Sequence, residues 1–200
     1  EPADVRSPEM LARLVALIRC CHTDVSRHLR GPVLSFWVFH VLRDYMHTLE
    51  AAGSRFVPEL PRLLTIAEAL ETAVGRVSLV WGHNDLLASN FMDDGSRLWL
   101  VDWDYAGFNS PLFDLGGLAS NNQLDAAQEA ELLEMYFEEK ISDSLRRRYG
   151  AMKCASLLRE SMWSMVSEHH STIDFDYMAY TDLNLERFEA AWADFAGSQG

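Results

Sequence analysis

Long apolar runs and cysteines are both scarce in this chain of 200 residues. None of its apolar runs approaches the roughly 20 residues of a membrane-spanning helix, so we expect no membrane span and no signal peptide. The three cysteines, Cys20, Cys21 and Cys154, are odd in number and have neither zinc-ligand spacing nor the pattern of a disulfide framework. This cysteine usage indicates a reducing compartment, and we expect a cytoplasmic protein.

Positively charged residues are few as well. The chain has 17 Lys and Arg residues against 30 Asp and Glu residues, which gives a formal net charge of −13. Such a surface repels phosphate backbones and attracts small cations, so we expect no nucleic-acid partner. An apolar fraction of 48%, with 11% aromatic residues, is typical of a folded globular chain with one sizeable core.

Apolar residues recur at helical spacing on both sides of a central segment. Ser7 and Pro8 form a helix-start signature before the first of these stretches. Asp125 and Gln128 have the spacing of a capping box before a later one. The sequence predicts further helices over residues 31–53, over 58–75, over 145–170 with an irregularity near Gly150, and over 185–197.

The helical pattern gives way to three short apolar runs between residues 77 and 103: VSLVWGH, NFM and RLWLVDW. Asp94-Gly95, between the last two runs, predicts a β-hairpin with this pair at the turn centre. In that register Asn90 pairs near Trp99, and Asp102 lies level with the loop before Asn90. The predicted fold class is therefore α+β and mainly α-helical. We expect a single domain over 1–200, with segments at 1–75 (helical), 76–110 (loop and hairpin) and 111–200 (helical).

Three oxygen-bearing side chains, Asp85, Asn90 and Asp102, meet at this predicted hairpin. Mg²⁺ prefers oxygen ligands, and the Asn90 amide and the Asp102 carboxylate can supply them. Asp85 can accept the proton of an attacking hydroxyl. The five-residue interval from Asp85 to Asn90, with a second Asp after a hairpin, matches the order of the catalytic and metal-binding residues in protein kinases. The pattern predicts phosphoryl transfer; the alternative is that Asp85 and Asn90 only cap a turn.

The neighbouring polar residues have supporting interpretations. His83 is predicted to brace the loop rather than act as a base. Asp114 is predicted to cap the helix that follows it or to brace the 83–90 loop. The adjacent His169 and His170 diverge by about 100° on a helix, so we expect surface or core positions rather than metal ligands.

Four stretches of the sequence resemble the choline/ethanolamine kinase family, which lies within the kinase-like group that includes aminoglycoside phosphotransferases. They are HNDLLASNF, LVDWDYAG, FDLGG and MWSMVSEHHSTIDFDYMAY, and they fall between about residues 80 and 182. The first motif is shared by the whole group, whereas the second and fourth are narrower. The resemblance implies the carboxy-terminal lobe of a protein-kinase-like fold.

The resemblance implies an ATP-dependent phosphotransferase that acts on the hydroxyl of choline or a related amino alcohol. It implies Asp85 as the catalytic base, Asn90 and Asp102 as Mg²⁺ ligands, and ATP as co-substrate. The residues that it assigns to the amino-alcohol pocket are Asp104, Tyr105, Trp163, Phe175 and Tyr180. Aromatic faces suit a quaternary ammonium because it cannot donate hydrogen bonds. The alternative for Trp163, Phe175 and Tyr180 is ordinary core packing.

The sequence departs from the family pattern at several places. Glu160 stands where the family usually has a second Trp, which leaves choline, ethanolamine, thiamine and other amino alcohols open. No glycine-rich loop precedes residue 75, and the chain has only two lysines, Lys140 and Lys153, so we expect no counterpart of the family's amino-terminal lobe in this chain. We expect a fragment of a longer enzyme, weak or inactive alone. An aminoglycoside acceptor, a non-catalytic binding lobe and a homodimer remain open alternatives.

Overall fold

The computed structural model describes residues 5–197. In chain order the α-helices of this range are α1 Pro8–Asp24, α2 Val38–Ala51, α3 Leu60–Val74, α4 Pro111–Asn121, α5 Ala126–Phe137, α6 Asp143–His170 and α7 Tyr177–Gly197. The strands are β1 Val80–Gly82, β2 Phe91–Asp93, β3 Leu98–Leu100 and β4 Gly107–Asn109. Single 3-10 turns lie at Val25–His28, Val57–Glu59 and Ala88–Asn90. The mainly helical α+β prediction is confirmed.

Two compact units make up this part of the chain. The first consists of residues 5–36 and 76–146 and contains α1, α4, α5 and all four strands. The second consists of residues 37–75 and 147–197 and contains α2, α3, α7 and most of α6. The expectation of a single domain over 1–200 stays a prediction.

In the first unit, α1 provides one wall of the core. Its N-cap is Ser7, whose hydroxyl oxygen accepts a hydrogen bond from the Met10 N–H at 3.2 Å, and Pro8 occupies the first turn, as predicted. The helical apolar stripe of α1 is buried, and α4 is buried along most of its length. The buried apolar residues of α1 are Leu11, Leu14, Val15, Ile18 and Cys21.

The strands form two separate antiparallel pairs, β1 with β4 and β2 with β3. In the β2–β3 hairpin Phe91 pairs with Leu100, Met92 with Trp99 and Asp93 with Leu98. The predicted pairing of Asn90 near Trp99 is therefore wrong by two residues.

The physical reason for this shift is a four-residue loop in place of the two-residue turn. Asp94 N–H donates to the Arg97 carbonyl at 3.2 Å, which closes the loop. The Asp94 carboxylate accepts hydrogen bonds from the N–H groups of Ser96 and Arg97 and from Trp99 Nε1. These bonds hold the pKa of the Asp94 carboxyl below its usual range.

Strand β4 was not predicted, because Gly107–Asn109 has no run of β-branched residues. The same strand explains why α2 begins at Val38 rather than at the predicted Gly31. Phe36 N–H donates to the Phe108 carbonyl at 2.9 Å, and Phe108 N–H donates to the Leu34 carbonyl at 2.9 Å. The segment before Val38 thus satisfies its backbone groups as an extended chain.

In the second unit, α6 is continuous through Gly150, so the predicted irregularity is wrong. A Cβ atom at Gly150 would lie 3.5 Å from the Phe195 ring of α7, at ordinary contact distance. Packing on α7 thus offsets the weak helix propensity of glycine, which costs about 1 kcal/mol relative to alanine. Helix α7 begins at Tyr177, eight residues before the predicted start.

Between residues 5 and 197, no helix combines the length and the apolar character that crossing a bilayer requires.

Candidate active site

The loop that follows β1 carries the predicted base. It begins at His83, directly after the end of β1, and closes with the 3-10 turn Ala88–Asn90 before β2. Asp85 is half-buried and Asn90 is buried. The loop therefore connects one strand pair to the other, with Asp85 three residues after β1 and Asn90 directly before β2.

Asn90 is bound to the backbone of the predicted base. Its side-chain Nδ2 donates a hydrogen bond to the Asp85 carbonyl oxygen at 2.9 Å. The amide orientation is thereby defined, because a carbonyl oxygen can only accept. Oδ1 is then the Asn90 atom that can ligate a cation.

Asp102 follows directly after the residue that pairs with Asn90. Val101 N–H donates to the Asn90 carbonyl oxygen at 3.0 Å, which extends the hairpin ladder by one bond. Asp102 itself is exposed and has a left-handed backbone, with φ 65°. Such a φ is uncommon for a residue with a Cβ atom and ends the strand abruptly. The corrected register therefore places the Asp102 backbone beside that of Asn90.

His83 links the loop to the hairpin. The Asp85 N–H donates to His83 Nδ1 at 3.3 Å, and His83 Nε2 donates to the Val101 carbonyl oxygen at 2.9 Å. Its ring packs edge-on against Trp103, with centroids 4.9 Å apart. His83 is 1% exposed, so its contacts fit a bracing role and leave no surface for a general base.

Asp114 lies under the loop rather than at a helix cap. Ser110 is the N-cap of α4, and Asp114 is buried in the first turn. Its carboxylate accepts hydrogen bonds from the His83 N–H at 2.8 Å and from the Asn84 N–H at 2.7 Å. His22 Nε2 donates the third bond, at 2.9 Å. The contacts favour the bracing alternative for Asp114.

The electrostatics of Asp114 follow from these three donors. Burial alone would raise its pKa, but the hydrogen bond and charge of His22, with the two backbone N–H groups, lower the pKa of Asp114 below its ordinary value. The other ring nitrogen, His22 Nδ1, lies 2.7 Å from the Tyr136 hydroxyl. Burial raises the pKa of Tyr136 to about 12, and the charge of Asp114 adds to that shift. Sequence reasoning missed His22 and Tyr136, because both are distant in sequence from the motifs.

The segment after Asp102 contains two of the predicted pocket residues. Asp104 is exposed and Tyr105 is half-buried. The Tyr105 ring packs edge-on against Phe36, with centroids 6.1 Å apart. Trp103, between Asp102 and Asp104, donates from Nε1 to the Leu100 carbonyl at 2.9 Å. This tight turn leaves the Asp104 side chain at the surface.

The second unit gathers the other three predicted pocket residues into one aromatic cluster. Tyr180 lies within 6.5 Å of Trp163 and within 5.6 Å of Phe175, measured between ring centroids. Tyr177, which sequence reasoning missed, contacts both Trp163 and Phe175 at 6.1 and 5.0 Å. Phe175 is 53% exposed, so the cluster reaches the surface of its unit and is not ordinary core.

A carboxylate adjoins this cluster. The Tyr180 hydroxyl donates to Glu160 Oε1 at 2.8 Å, and Arg159 Nη1 donates to Glu160 Oε2 at 3.0 Å. Burial, followed by the charge of Glu160, raises the pKa of Tyr180 to about 12. The residue that departs from the family pattern therefore places an ion-paired carboxylate beside the aromatic cluster.

One face of the β2–β3 hairpin carries exposed apolar side chains that sequence reasoning did not single out. Met92 pairs with Trp99, and Val101 lies two residues further along the same strand direction. The exposed fractions of Met92, Trp99 and Val101 are 39%, 45% and 42%. The signal available in the sequence was the pair of short apolar runs on either side of the turn, Phe91-Met92 and residues 98–101.

The donor set fits a small hard cation. Over residues 5–197, no three His, Cys, Asp or Glu side chains lie together as a metal site. Mg²⁺ does not need such a cage, since it is usually held by one or two carboxylates with phosphate and water oxygens. Asp102 and Asn90 match that requirement. His169 and His170 are both exposed, with ring centroids 6.4 Å apart.

The chain belongs to the phosphotransferase enzyme family, whose model matches residues 11–151. That match contains the loop, both strand pairs and Asp114. The fold and the loop geometry thus agree with the family that the motifs indicate.

The chain also resembles individual proteins of known sequence or structure. The chain is 25% identical to human ethanolamine kinase 2 over 94% of its own length and 55% of that protein. A choline/ethanolamine kinase family protein from Mesorhizobium loti has a TM-score of 0.79 and 28% identity, over 92% of this chain and 62% of that one. A spectinomycin phosphotransferase structure, with a TM-score of 0.54 and 14% identity over 92% of this chain and 64% of that one, shares the fold alone. The chain spans about half the length of the curated relatives it matches.

Proposed function

We propose that this chain carries the catalytic half of a small-molecule kinase that phosphorylates an amino alcohol such as choline or ethanolamine with ATP. The observation that carries the proposal is the hydrogen-bonded junction of the loop and the hairpin. Asn90 is bonded through its side chain to Asp85 and through its backbone to Val101, next to Asp102. One proposed metal ligand, Asn90, is thereby bonded to the backbone of the proposed base and to the residue that precedes the other proposed ligand.

The reaction follows from the roles of these groups. The substrate hydroxyl oxygen forms a bond to the γ-phosphorus as the bond from that phosphorus to the ADP oxygen breaks, and Asp85 accepts the hydroxyl proton. Asn90 Oδ1 and the Asp102 carboxylate would hold Mg²⁺, which offsets the phosphate charge when bound. Positioning and charge stabilisation dominate such a transfer, so a braced loop is what the chemistry requires.

The amino-alcohol acceptor is supported by two groups of residues. The aromatic cluster of Trp163, Phe175 and Tyr180 offers ring faces, each worth about 0.5–2 kcal/mol to a cation depending on its desolvation. Asp104 and Tyr105 follow the proposed metal ligand Asp102 by two and three residues, and Asp104 adds a carboxylate. We propose each of these five residues, within its own unit, as a contact of the acceptor. The relatives named as ethanolamine kinases support this class of substrate.

We also infer that the face formed by Met92, Trp99 and Val101 supports the adenine ring of ATP. A purine base is flat and largely apolar on its faces, so it suits exposed side chains of this kind. Val101, the last residue of this face, is followed directly by the proposed metal ligand Asp102.

The test is a substrate panel on the full-length gene product. We expect Mg²⁺-dependent ATP consumption with choline or ethanolamine, and the Asp85→Ala variant should lose at least ~10²–10⁴-fold in kcat, as for a positioned base. Asp44→Asn, at an exposed position of α2, is the matched control and should keep the parent rate. Undiminished turnover in Asp85→Ala would remove the mechanism.

The same panel separates the alternatives. Phosphorylation of kanamycin but of no amino alcohol would favour an aminoglycoside phosphotransferase. ATP turnover with no acceptor tested, or none at all, would favour a binding lobe. For the isolated 200-residue chain we expect weak or no turnover, because nothing in it resembles the glycine-rich loop that holds the nucleotide in this family.

A further inference from the structure

Asn84 is a buried residue that the proposed chemistry does not use, although it immediately precedes the proposed base. It is 3% exposed and lies between β1 and the 3-10 turn. We propose that Asn84 is a positioning residue whose side-chain amide holds the segment from Asp102 to Gly107 against the loop that carries Asp85. This inference rests on the proposed phosphotransfer function.

The side-chain amide of Asn84 is bonded to backbone carbonyl groups of the segment that follows Asp102. Nδ2 donates to the Tyr105 carbonyl at 3.0 Å and to the Gly107 carbonyl at 3.2 Å. Both acceptors lie at the end of the segment that begins with Asp102. An amide with two hydrogens can serve both carbonyls at once, so a single side chain joins the two sides of the site.

The orientation of this amide is determined by its neighbours. Asn109 Nδ2 donates to Asn84 Oδ1 at 3.1 Å, and Asn109 Oδ1 accepts from the Ser110 N–H at 2.7 Å. A backbone N–H can only donate and a carbonyl can only accept, so both amides have one consistent assignment. The nitrogen of Asn84 must therefore face the two carbonyls.

The backbone of Asn84 is left-handed, with φ 66°. Asparagine tolerates this left-handed region better than other residues with a Cβ atom. The conformation directs the Asn84 N–H to Asp114 Oδ1 at 2.7 Å while the side chain turns to the opposite partners. Glycine would reproduce the backbone alone. Aspartate would keep the side-chain size but would set an oxygen against two carbonyl oxygens.

The Asn84 bond to the Tyr105 carbonyl lies between anchors at the two ends of this segment. At its start, Val101 is bonded to Asn90, and Trp103 is bonded to the Leu100 carbonyl and packs on His83. At its end, Gly107 of β4 pairs with β1, so Asn84 adds the side-chain bond that joins the middle of the segment to the loop. Loss of this hold should loosen Asp102, a proposed metal ligand, and Asp104, a proposed acceptor-binding residue, without removing either.

The experiment compares three variants of the full-length gene product: Asn84→Gly, Asn84→Asp and the control Gln123→Gly. Gln123 has the same left-handed backbone, with φ 54°, but is exposed. We expect Asn84→Gly to raise the KM for the amino alcohol and the half-saturating Mg²⁺ concentration by about tenfold, and Asn84→Asp by at least as much. This is below the ~10²-fold of a 1 Å misplacement, because the hairpin bonds remain. Gln123→Gly should match the parent.

Two measurements that do not depend on turnover accompany the kinetics. Hydrogen exchange of the peptide over 102–107 should be at least about tenfold faster in Asn84→Gly than in the parent, with the Gln123→Gly peptide unchanged. By NMR of the parent protein, the Asn84 carboxamide protons should exchange with water at least about tenfold more slowly than those of Gln123. The second measurement needs no variant to fold.

The outcomes separate this inference from the proposed function. An inactive parent protein removes the kinase proposal, and the exchange rates then decide the role of Asn84. An active parent with an Asn84→Gly variant of unchanged KM, Mg²⁺ dependence and exchange overturns the positioning role. A lower kcat with unchanged KM and unchanged exchange over 102–107 indicates only a smaller folded fraction, and it overturns the role as well.

Discussion

Replacing Asp114 by Asn should strongly destabilise the first compact unit. The carboxylate accepts from His22, from the His83 N–H and from the Asn84 N–H in a site that is 3% exposed. An Asn side chain has one acceptor oxygen, so its NH₂ group would face at least one of these donors and leave it unsatisfied. Removing one partner from a buried charged arrangement typically costs about 3–5 kcal/mol. We expect a loss of this size in the free energy of unfolding.

The assay is urea unfolding at pH 7, followed by tryptophan fluorescence and by far-UV circular dichroism. Asp44→Asn removes an exposed carboxylate and should stay within about 0.5 kcal/mol of the parent, as surface substitutions usually do. A change of less than about 1 kcal/mol in Asp114→Asn would refute the reasoning, because it would mean that the three bonds contribute little.

The pH dependence of the same difference provides a second check. The pKa of Asp114 is lowered in the folded chain, since the hydrogen bond from His22 and the two backbone N–H groups outweigh the effect of burial. A carboxyl with a depressed folded pKa contributes stability that is present above its unfolded pKa, about 3.9, and is lost as the pH falls through the folded value. The gap between the parent and Asp114→Asn should therefore be full at pH 7 and should narrow below about pH 4. A gap that is constant down to the acid limit would contradict the charged carboxylate.

Two further predictions test the packing of each unit. Gly82→Ala should cost about 1–3 kcal/mol, because its Cβ would lie 3.1 Å from buried side-chain oxygens, whereas Gly197→Ala, with open space around it, should change nothing measurable. In denaturation curves, equal stability of the two variants would contradict the close contact. The exposed Cys20 should react readily with Ellman's reagent at pH 8, and Cys21 and Cys154 only on unfolding, because burial raises the pKa of both to about 12. Rapid reaction of more than one thiol in the folded chain would refute this.

Local signals account for the parts of the fold that were predicted well. Ser7 with Pro8 and the capping box of Asp125 with Gln128 both begin helices where expected, because each motif satisfies N–H groups within its own first turn. The start of α2 was wrong because the extended segment before Val38 pairs with β4, a contact between residues about 70 apart in sequence. The helix propensity of a local segment contains no information about a partner so distant in sequence.

In the candidate site, as in the fold, the residues with local signals were predicted and the features that depend on distant or side-chain contacts were not. Asp85, Asn90 and Asp102 could be singled out because chemistry limits which residue types can hold a metal or accept a proton, and their spacing is short. The hairpin register could not be predicted, since the Asp94 carboxylate stabilises a four-residue loop where Asp-Gly usually favours a two-residue turn. The corrected register sets Asn90 opposite Val101 instead of Trp99. Asp102 thus follows the residue opposite Asn90, and it lies closer to Asn90 than the predicted register would have placed it.

The supporting network was missed for a different reason. His22, Asn109 and Tyr136 carry no motif of their own. Tyr136 is bonded to His22, His22 to Asp114, and Asn109 to Asn84. A buried polar group is costly unless it is bonded, so such residues are retained only where the fold supplies a partner. In this chain those partners lead back to the same loop, from Tyr136 through His22 to Asp114 and then to the two N–H groups before Asp85. The rigidity of the proposed base is therefore built from residues that are distant in sequence, and substitutions far from the motif should alter the loop before they alter the fold.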